Sequence, residues 1–165
     1  MHPEATTHRP ALRPSRRRLR PGSLLPAVAL ALLAGNASAA PDAALAAAAK
    51  EPGAVVTPSG LVYLSLQEGK GPSPTAADRV QVHYRGSFPD GREFDSSFKR
   101  NAPATFGLGQ VIPCWTEGVQ RMKVGGKAKL TCPSSIAYGS RGAGGVIPPD
   151  ATLQFEVELL AIPGR

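Results

Sequence analysis

The sequence predicts an α+β fold, with an antiparallel sheet of five or six strands packed on one short helix. Three observations carry this prediction. Residues 78–85 and 153–159 each alternate between apolar and polar side chains, as strands with one buried face do. A single short helical pattern lies at residues 113–123, and the chain has no long helical period and no internal repeat. Half-exposed antiparallel strands with a helix across one face are typical of the α+β class.

The first 39 residues have the layout of a secretory signal peptide. Arginines at 16–18 and 20 precede an apolar run at 24–33, and small residues follow up to Ala39. The apolar run is too short for a permanent membrane span, and Asn36 stands where a lipoprotein signal has cysteine. We therefore predict cleavage after Ala39, no membrane anchor, and a periplasmic or secreted product. A basic disordered tail before an alanine-rich helix is the alternative.

Removing this segment also removes most of the positive charge. The whole chain carries 19 basic and 12 acidic residues, for a net charge of +7, but residues 40–165 carry 13 and 11, for +2. The remaining basic residues are scattered and aromatic side chains are few, so we expect no nucleic-acid partner. We divide the chain into the signal peptide at 1–39, an alanine-rich linker or short frayed helix at 40–56, and a folded domain at 57–163.

The folded domain opens with a turn at 57–60 ahead of its first strand, which is predicted at 61–66. In the next strand, Val80, Val82 and Tyr84 share the face that we expect to be buried. The remaining elements of this half are a hairpin-type turn at 89–91 and two extended segments, at 93–98 and around Phe106.

The short helix follows these strands. Trp115, Val119 and Met122 stand at i, i+4 and i+7, which places them on one helical face. Pro113 is tolerated in a first helical turn, and the glycines at 125–126 end the pattern. The rest of the domain is a strand, a glycine-rich loop and a last strand, at residues 127–132, 134–145 and 153–159.

Cys114 and Cys132 are the only cysteines in the chain. An exported protein enters an oxidising compartment, where a disulfide persists. We therefore predict a bridge between them, which would close a loop of about 18 residues and add about 3 kcal/mol of stability. Two buried thiols that behave as small apolar side chains are the alternative.

Motifs for metal or nucleophilic chemistry are absent from the sequence. It contains neither GxSxG nor HExxH, and the cysteines have no zinc-type spacing. His83 is the only histidine after residue 39, and it lies on the polar face of its strand, so Cys114 has no evident general base. We expect neither a metal nor a cofactor.

What remains is a set of aromatic and branched side chains close to turns. Several lie at the ends of elements, where a pocket mouth forms, and the Asp95 carboxylate and Tyr138 hydroxyl accompany them. An apolar pocket with a few placed polar groups is the usual form of a small-ligand site, although ordinary core packing explains any one residue alone. The set comprises Tyr84, Phe94, Phe106, Val111, Ile112, Trp115, Tyr138, Ile147 and Phe155.

Five spaced motifs join these residues into one pattern. They are VHYRG at 82–86, DGREFDSS at 90–97, VIPxWTEG at 111–118, AYG at 137–139 and IPPxATLxFxVELL at 147–160. Together they closely resemble the FKBP-type (immunophilin) peptidyl-prolyl isomerases, and the small exported bacterial members in particular. The resemblance extends from about Ser59 to Ile162.

The resemblance implies a twisted antiparallel sheet wrapped around the short helix, with a pocket between them. It implies cis/trans isomerisation of X–Pro bonds in unfolded or exported polypeptides, and binding of macrolides such as tacrolimus and rapamycin. The chain is expected to be a monomer. A non-catalytic periplasmic chaperone or peptide-binding module that uses the same pocket is the alternative function.

The resemblance also assigns roles to individual residues. Trp115 would be the pocket floor, and the Ile112 N–H would bind a substrate carbonyl. The expected catalytic residues are Asp95, tied to Tyr84 or Arg100, together with Tyr138 and Tyr84. The expected walls are Tyr84, Phe94, Phe106 and Phe155, with Val111, Ile112 and Ile147 between them. The chain departs from the common family pattern at Ala104, Ile136 and Ala143-Gly144.

Overall fold

The computed structural model describes residues 41–165, so the predicted signal peptide lies outside the described residues. Two α-helices and seven strands make up this part of the chain. The helices are α1 (Pro41–Ala49) and α2 (Pro113–Gln120). The strands are β1 (Val55–Val56), β2 (Val62–Gln67), β3 (Arg79–Ser87), β4 (Glu93–Ser96), β5 (Ala104–Gly107), β6 (Lys127–Cys132) and β7 (Leu153–Ala161).

All seven strands belong to one antiparallel sheet with the order β1-β2-β6-β7-β3-β4. Strand β5 pairs with the first half of β3, on the edge that β4 occupies further along. The predicted α+β class is confirmed, and the sheet has seven strands rather than five or six. The added strand is β1, whose two residues are too few to leave an alternating pattern in the sequence.

The segment before the predicted domain is folded onto the sheet. Helix α1 contacts β2 and β6, and it buries Ala44 and Ala48, which share one helical face. An ion pair of 2.7 Å between Glu51 and Lys129 adds a second attachment. The sequence suggested a linker or frayed helix here because the stretch is alanine-rich and nearly featureless. Contacts with the sheet hold the helix instead, and no helix in residues 41–165 is long and apolar enough to span a bilayer.

Helix α2 packs tightly against the inner face of the sheet. Trp115 and Val119 lie on the buried face of α2 as predicted, but the helix ends at Gln120, so Met122 is buried just beyond its end rather than on the helical face. Gly118 lets the helix approach β6, because a Cβ atom there would lie 2.7 Å from Cδ2 of Leu130. Packing against the apolar face of the sheet therefore positions α2, and with it Trp115.

A disulfide joins the first turn of α2 to the end of β6. It links Cys114 and Cys132, whose Cα atoms are 5.9 Å apart, and both side chains are fully buried. Because Cys114 directly precedes Trp115, the bridge attaches the tryptophan's helical turn to the sheet.

Candidate active site

One open cavity of about 360 Å³ lies between α2, the strands β3 to β5 and the loop after β6. Its wall is mostly aromatic and branched, with one carboxylate. The lining residues are Tyr84, Phe94, Asp95, Phe106, Gln110, Val111, Ile112, Trp115, Tyr138 and Phe155.

The indole of Trp115 forms the base of an aromatic box. Tyr84, Phe106 and Phe155 surround it, with ring centroids 5.2, 5.6 and 5.4 Å from its own. Their planes meet the indole at 85°, 87° and 90°, so each ring stands at right angles to it. Edge-to-face pairs of this kind each contribute about 0.5–1.5 kcal/mol beyond their buried area. These contacts therefore stabilise the arrangement of the three rings around the indole.

Phe94 completes the wall through a close approach of backbone and ring. Its ring meets Phe155 edge-on, with centroids 5.7 Å apart. Gly86 is the partner of both Asp95 and Phe155 in the sheet register. A Cβ atom at Gly86 would lie 2.6 Å from Cζ of Phe94, so only glycine leaves room for this ring.

A polar cluster of three side chains stands at the side of the box. The Tyr84 hydroxyl donates a hydrogen bond to Oδ2 of Asp95. Arg100 donates from Nη1 to Oδ1 of Asp95 at 2.6 Å and from Nη2 to the Tyr84 oxygen at 3.0 Å. Asp95 is therefore tied to both partners that the sequence offered as alternatives.

Opposing effects act on the pKa of the Asp95 carboxyl. Burial raises it, but hydrogen bonds from Tyr84 and Arg100 and the charge of Arg100 lower it more, so the pKa lies below its ordinary value of 3.8. Burial is also the main cause that raises the pKa of the Tyr84 hydroxyl above 10.0, and its hydrogen bond to Asp95 acts in the same direction. At neutral pH the pair is therefore a carboxylate and a protonated phenol.

Two hydrogen-bond donors line the cavity away from this cluster. Ile112 precedes α2, and its carbonyl accepts the N–H groups of Trp115 at 2.9 Å and Thr116 at 3.2 Å. Within residues 41–165 the Ile112 N–H has no protein acceptor, so it can donate to a ligand. Tyr138 also lines the cavity and is 41% exposed, so its hydroxyl is the second donor that a ligand can reach.

The structure brings together nine of the ten site residues expected from the sequence. Ile147 is the exception: it is buried and lines a neighbouring groove. Gln110 lines the cavity and was missed, although its place directly before Val111 was a signal. Within the described residues, no cluster of three or more histidine, cysteine or acidic side chains could hold a metal ion.

Comparisons with known proteins agree on one family. Residues 71–160 match the profile of the family described as FKBP-type peptidyl-prolyl cis-trans isomerase. The chain is 57% identical over 118 residues to the FKBP-type isomerase FkpA of Aeromonas hydrophila, covering 72% of this chain and 44% of that one. It is 53% identical over 105 residues to an FK506-binding protein of Neisseria meningitidis, covering 62% of this chain and 96% of that one.

A solved structure shows the same fold. The crystal structure of FkpA from Escherichia coli superposes with a TM-score of 0.72 at 45% identity, covering 74% of this chain and 57% of that one. The chain spans less than half the length of the curated FkpA proteins that it matches. The fold, the aromatic cavity and these similarities together show that the chain belongs to the FKBP-type peptidyl-prolyl cis-trans isomerase family.

Proposed function

We propose that this protein is a peptidyl-prolyl cis-trans isomerase that accelerates rotation about X–Pro bonds while exported proteins fold. The observation that carries the proposal is the aromatic box over Trp115, with the ionised Asp95 held at its side. A proline ring is a compact apolar group, and a box of this size and polarity suits it.

The chemistry breaks no covalent bond. The barrier of about 20 kcal/mol is the amide resonance that is lost as the C–N bond rotates. Water that hydrogen-bonds to the amide oxygen stabilises the planar form, which has more charge separation than the twisted one. A box of rings excludes that water and so favours the twisted amide.

Donors at the rim supply the second part of the mechanism. The Ile112 N–H and the Tyr138 hydroxyl would hold substrate carbonyls while the proline ring rests on Trp115. Gripping both sides of the bond most strongly in the twisted geometry lowers the barrier by differential binding. In this scheme the Asp95 carboxylate faces the carbonyl carbon of the rotating amide and acts electrostatically.

We further propose the partners and the compartment. The substrates would be proline-containing unfolded polypeptides in the periplasm or outside the cell. The protein would reach that compartment after cleavage of its signal peptide following Ala39. It would act there as a monomer through the isomerase domain at 57–163. Neisserial relatives are named FK506-binding proteins, and on that basis tacrolimus and rapamycin are proposed as ligands of the same cavity.

A protease-coupled assay on a Leu-Pro peptide, with and without rapamycin, tests the proposal. We expect a rate above the uncatalysed one that rapamycin abolishes. Folded protein with no rate above background would refute the isomerase function. If such a protein still bound proline peptides in this cavity, the chaperone or peptide-binding alternative would take its place.

Substitutions in the polar cluster distinguish an electrostatic role of Asp95 in catalysis from a purely structural one. Asp95→Asn keeps the shape and loses the charge, and we expect kcat/KM to fall about tenfold if one charge–dipole contact worth about 1.4 kcal/mol is lost. Tyr84→Phe removes only the hydroxyl that binds Asp95 and should have a smaller effect. An unchanged kcat/KM for Asp95→Asn would assign Asp95 a purely structural role.

The pH profile follows from the pKa shifts. A carboxyl whose pKa is lowered on folding contributes stability that is present above its unfolded pKa and is lost as pH falls through the folded value. The pKa of the Tyr84 hydroxyl lies above 10.0 and that of the Asp95 carboxyl lies below 3.8, so neither group titrates near neutrality. We expect kcat/KM to be constant between about pH 5 and pH 9. A bell-shaped profile centred in that range would contradict the ionisation states assigned to Asp95 and Tyr84.

A further inference from the structure

A second groove, of about 390 Å³, lies beside the aromatic cavity. The hairpin turn between β3 and β4 forms one side, and the loop before β7 forms the other. Phe88 lines this groove and Phe94 lines the cavity, and their ring centroids are only 5.1 Å apart. One pair of rings therefore separates the two depressions.

Both sides of the groove are held by backbone hydrogen bonds. In the hairpin, the N–H of Phe88 donates to the Arg92 carbonyl at 2.8 Å. In the loop, Ala143 and Ile147 exchange two bonds of 2.9 and 3.0 Å. A surface that is already ordered loses little conformational entropy when a ligand binds.

The groove combines apolar surface with positive charge. Phe88 and Ile147 are buried beneath it, and Val146 is 57% exposed. Arg92 and Arg141 also line it. The aliphatic and aromatic groups offer contact area to a peptide, and the two guanidinium groups favour an anionic side chain.

The two arginines differ in how far a neighbouring carboxylate already neutralises their charge. Nε of Arg92 donates to Oδ2 of Asp90 at 2.7 Å, which uses one of its five N–H donors. Arg141 is exposed, and within residues 41–165 no carboxylate oxygen lies within 4.0 Å of its guanidinium nitrogens. Arg141 is therefore the stronger candidate for a contact with a ligand. Asp90 weakens the attraction of Arg92 for an anionic ligand, because it already neutralises part of the Arg92 charge.

We propose that this groove binds an acidic side chain of the polypeptide whose proline occupies the aromatic cavity. The inference rests on the proposed isomerase function and adds a preference for Asp or Glu near the proline. An extended chain advances about 3.3 Å per residue, so it crosses the Phe88–Phe94 pair within roughly two to four residues. The groove adjoins the cavity across this ring pair, and its two arginines have the opposite charge to such a segment.

The test is a series of chromogenic Leu-Pro peptides carrying Glu, Gln or Lys at each position two to four residues before or after the proline. Wild type is compared with Arg141→Gln, Asp90→Asn and the control Arg79→Gln. Arg79 is exposed and begins β3, about 25 Å from the hairpin, so Arg79→Gln makes the same charge change far from the groove.

At one position or more, we expect the Glu peptide to have a two- to fivefold lower KM than the Gln peptide, with similar kcat, and the Lys peptide a higher KM. Arg141→Gln should bring the Glu/Gln ratio to about one. Asp90→Asn should increase the ratio, because the hairpin keeps a side-chain oxygen for its turn bond but loses the competing charge. Arg79→Gln should leave the ratio as in wild type, and high salt should remove it.

Equal KM values for the Glu, Gln and Lys peptides would overturn the inference while leaving the isomerase function intact. So would an equal loss of preference in Arg79→Gln, which would indicate general attraction rather than a site. If no peptide were turned over, the isomerase function would fail, and fluorescence polarisation of the same labelled peptides would still test the groove. A dimer in solution that Arg141→Gln dissociates would assign the groove to a second copy of the chain and overturn the inference.

Discussion

Replacing Trp115 with alanine is expected to lower kcat/KM for a Leu-Pro peptide by more than tenfold and the free energy of unfolding by about 3–5 kcal/mol. The side chain is 4% exposed and touches three perpendicular rings, so its loss leaves a void at the centre of the box. The proline ring would lose the surface on which it rests, and water would enter. Both consequences act on the barrier, since the mechanism depends on a dry, shaped site.

A second variant separates loss of the site from loss of stability. Val119→Ala creates a void on the same buried face of α2, but Val119 does not line the cavity. Urea unfolding gives the stability of both variants, and activity is assayed where each is fully folded. We expect Val119→Ala to retain the wild-type kcat/KM. If folded Trp115→Ala were as active as wild type, Trp115 would not be the floor of the working site.

Removing the Cys114–Cys132 disulfide is expected to lower the free energy of unfolding by about 3 kcal/mol, because the bridge closes a loop of 18 residues in the unfolded chain. Urea unfolding of wild type with and without reductant measures the change. Cys114→Ala/Cys132→Ala serves as the matched control, because reductant should leave its unfolding midpoint unchanged. Its own stability includes the loss of two buried sulfur atoms and should be no higher than that of reduced wild type.

A thiol count on exported, unreduced protein checks the premise of this experiment. We expect no free thiol under denaturing conditions and two after reduction. Two free thiols before reduction would contradict the bridge and leave the alternative of two buried, unpaired cysteines.

The elements with strong local patterns could be predicted from the sequence. Alternation at 78–85 and 153–159 corresponds to β3 and β7, which pair so that Val82 faces Leu159 and Tyr84 faces Val157. The helical spacing of Trp115 and Val119 places both on the buried face of α2, as the structure shows, whereas Met122 is buried just beyond the end of the helix. Burial of one face imposes a period on the sequence, and that period is visible without coordinates.

Other features depend on partners that are distant in the chain. Helix α1 has alanine on every side, so nothing in its own sequence indicates that Ala44 and Ala48 face β2 and β6. Ile147 belongs to a shared motif, yet its loop places it in the second groove rather than in the cavity. The groove itself forms between two turns about 50 residues apart in the chain. No local pattern records such a juxtaposition.

By itself, the sequence determined the α+β class, the helical face that carries Trp115, and nine of the residues around the cavity, because each lies in a segment with its own period or motif. The tertiary structure alone decided the right-angled packing of rings around Trp115 and the hydrogen bonds of both Tyr84 and Arg100 to Asp95. It also decided that two arginines line the same second groove. Those features are distances and angles between segments, and they exist only once the sheet has brought the segments together.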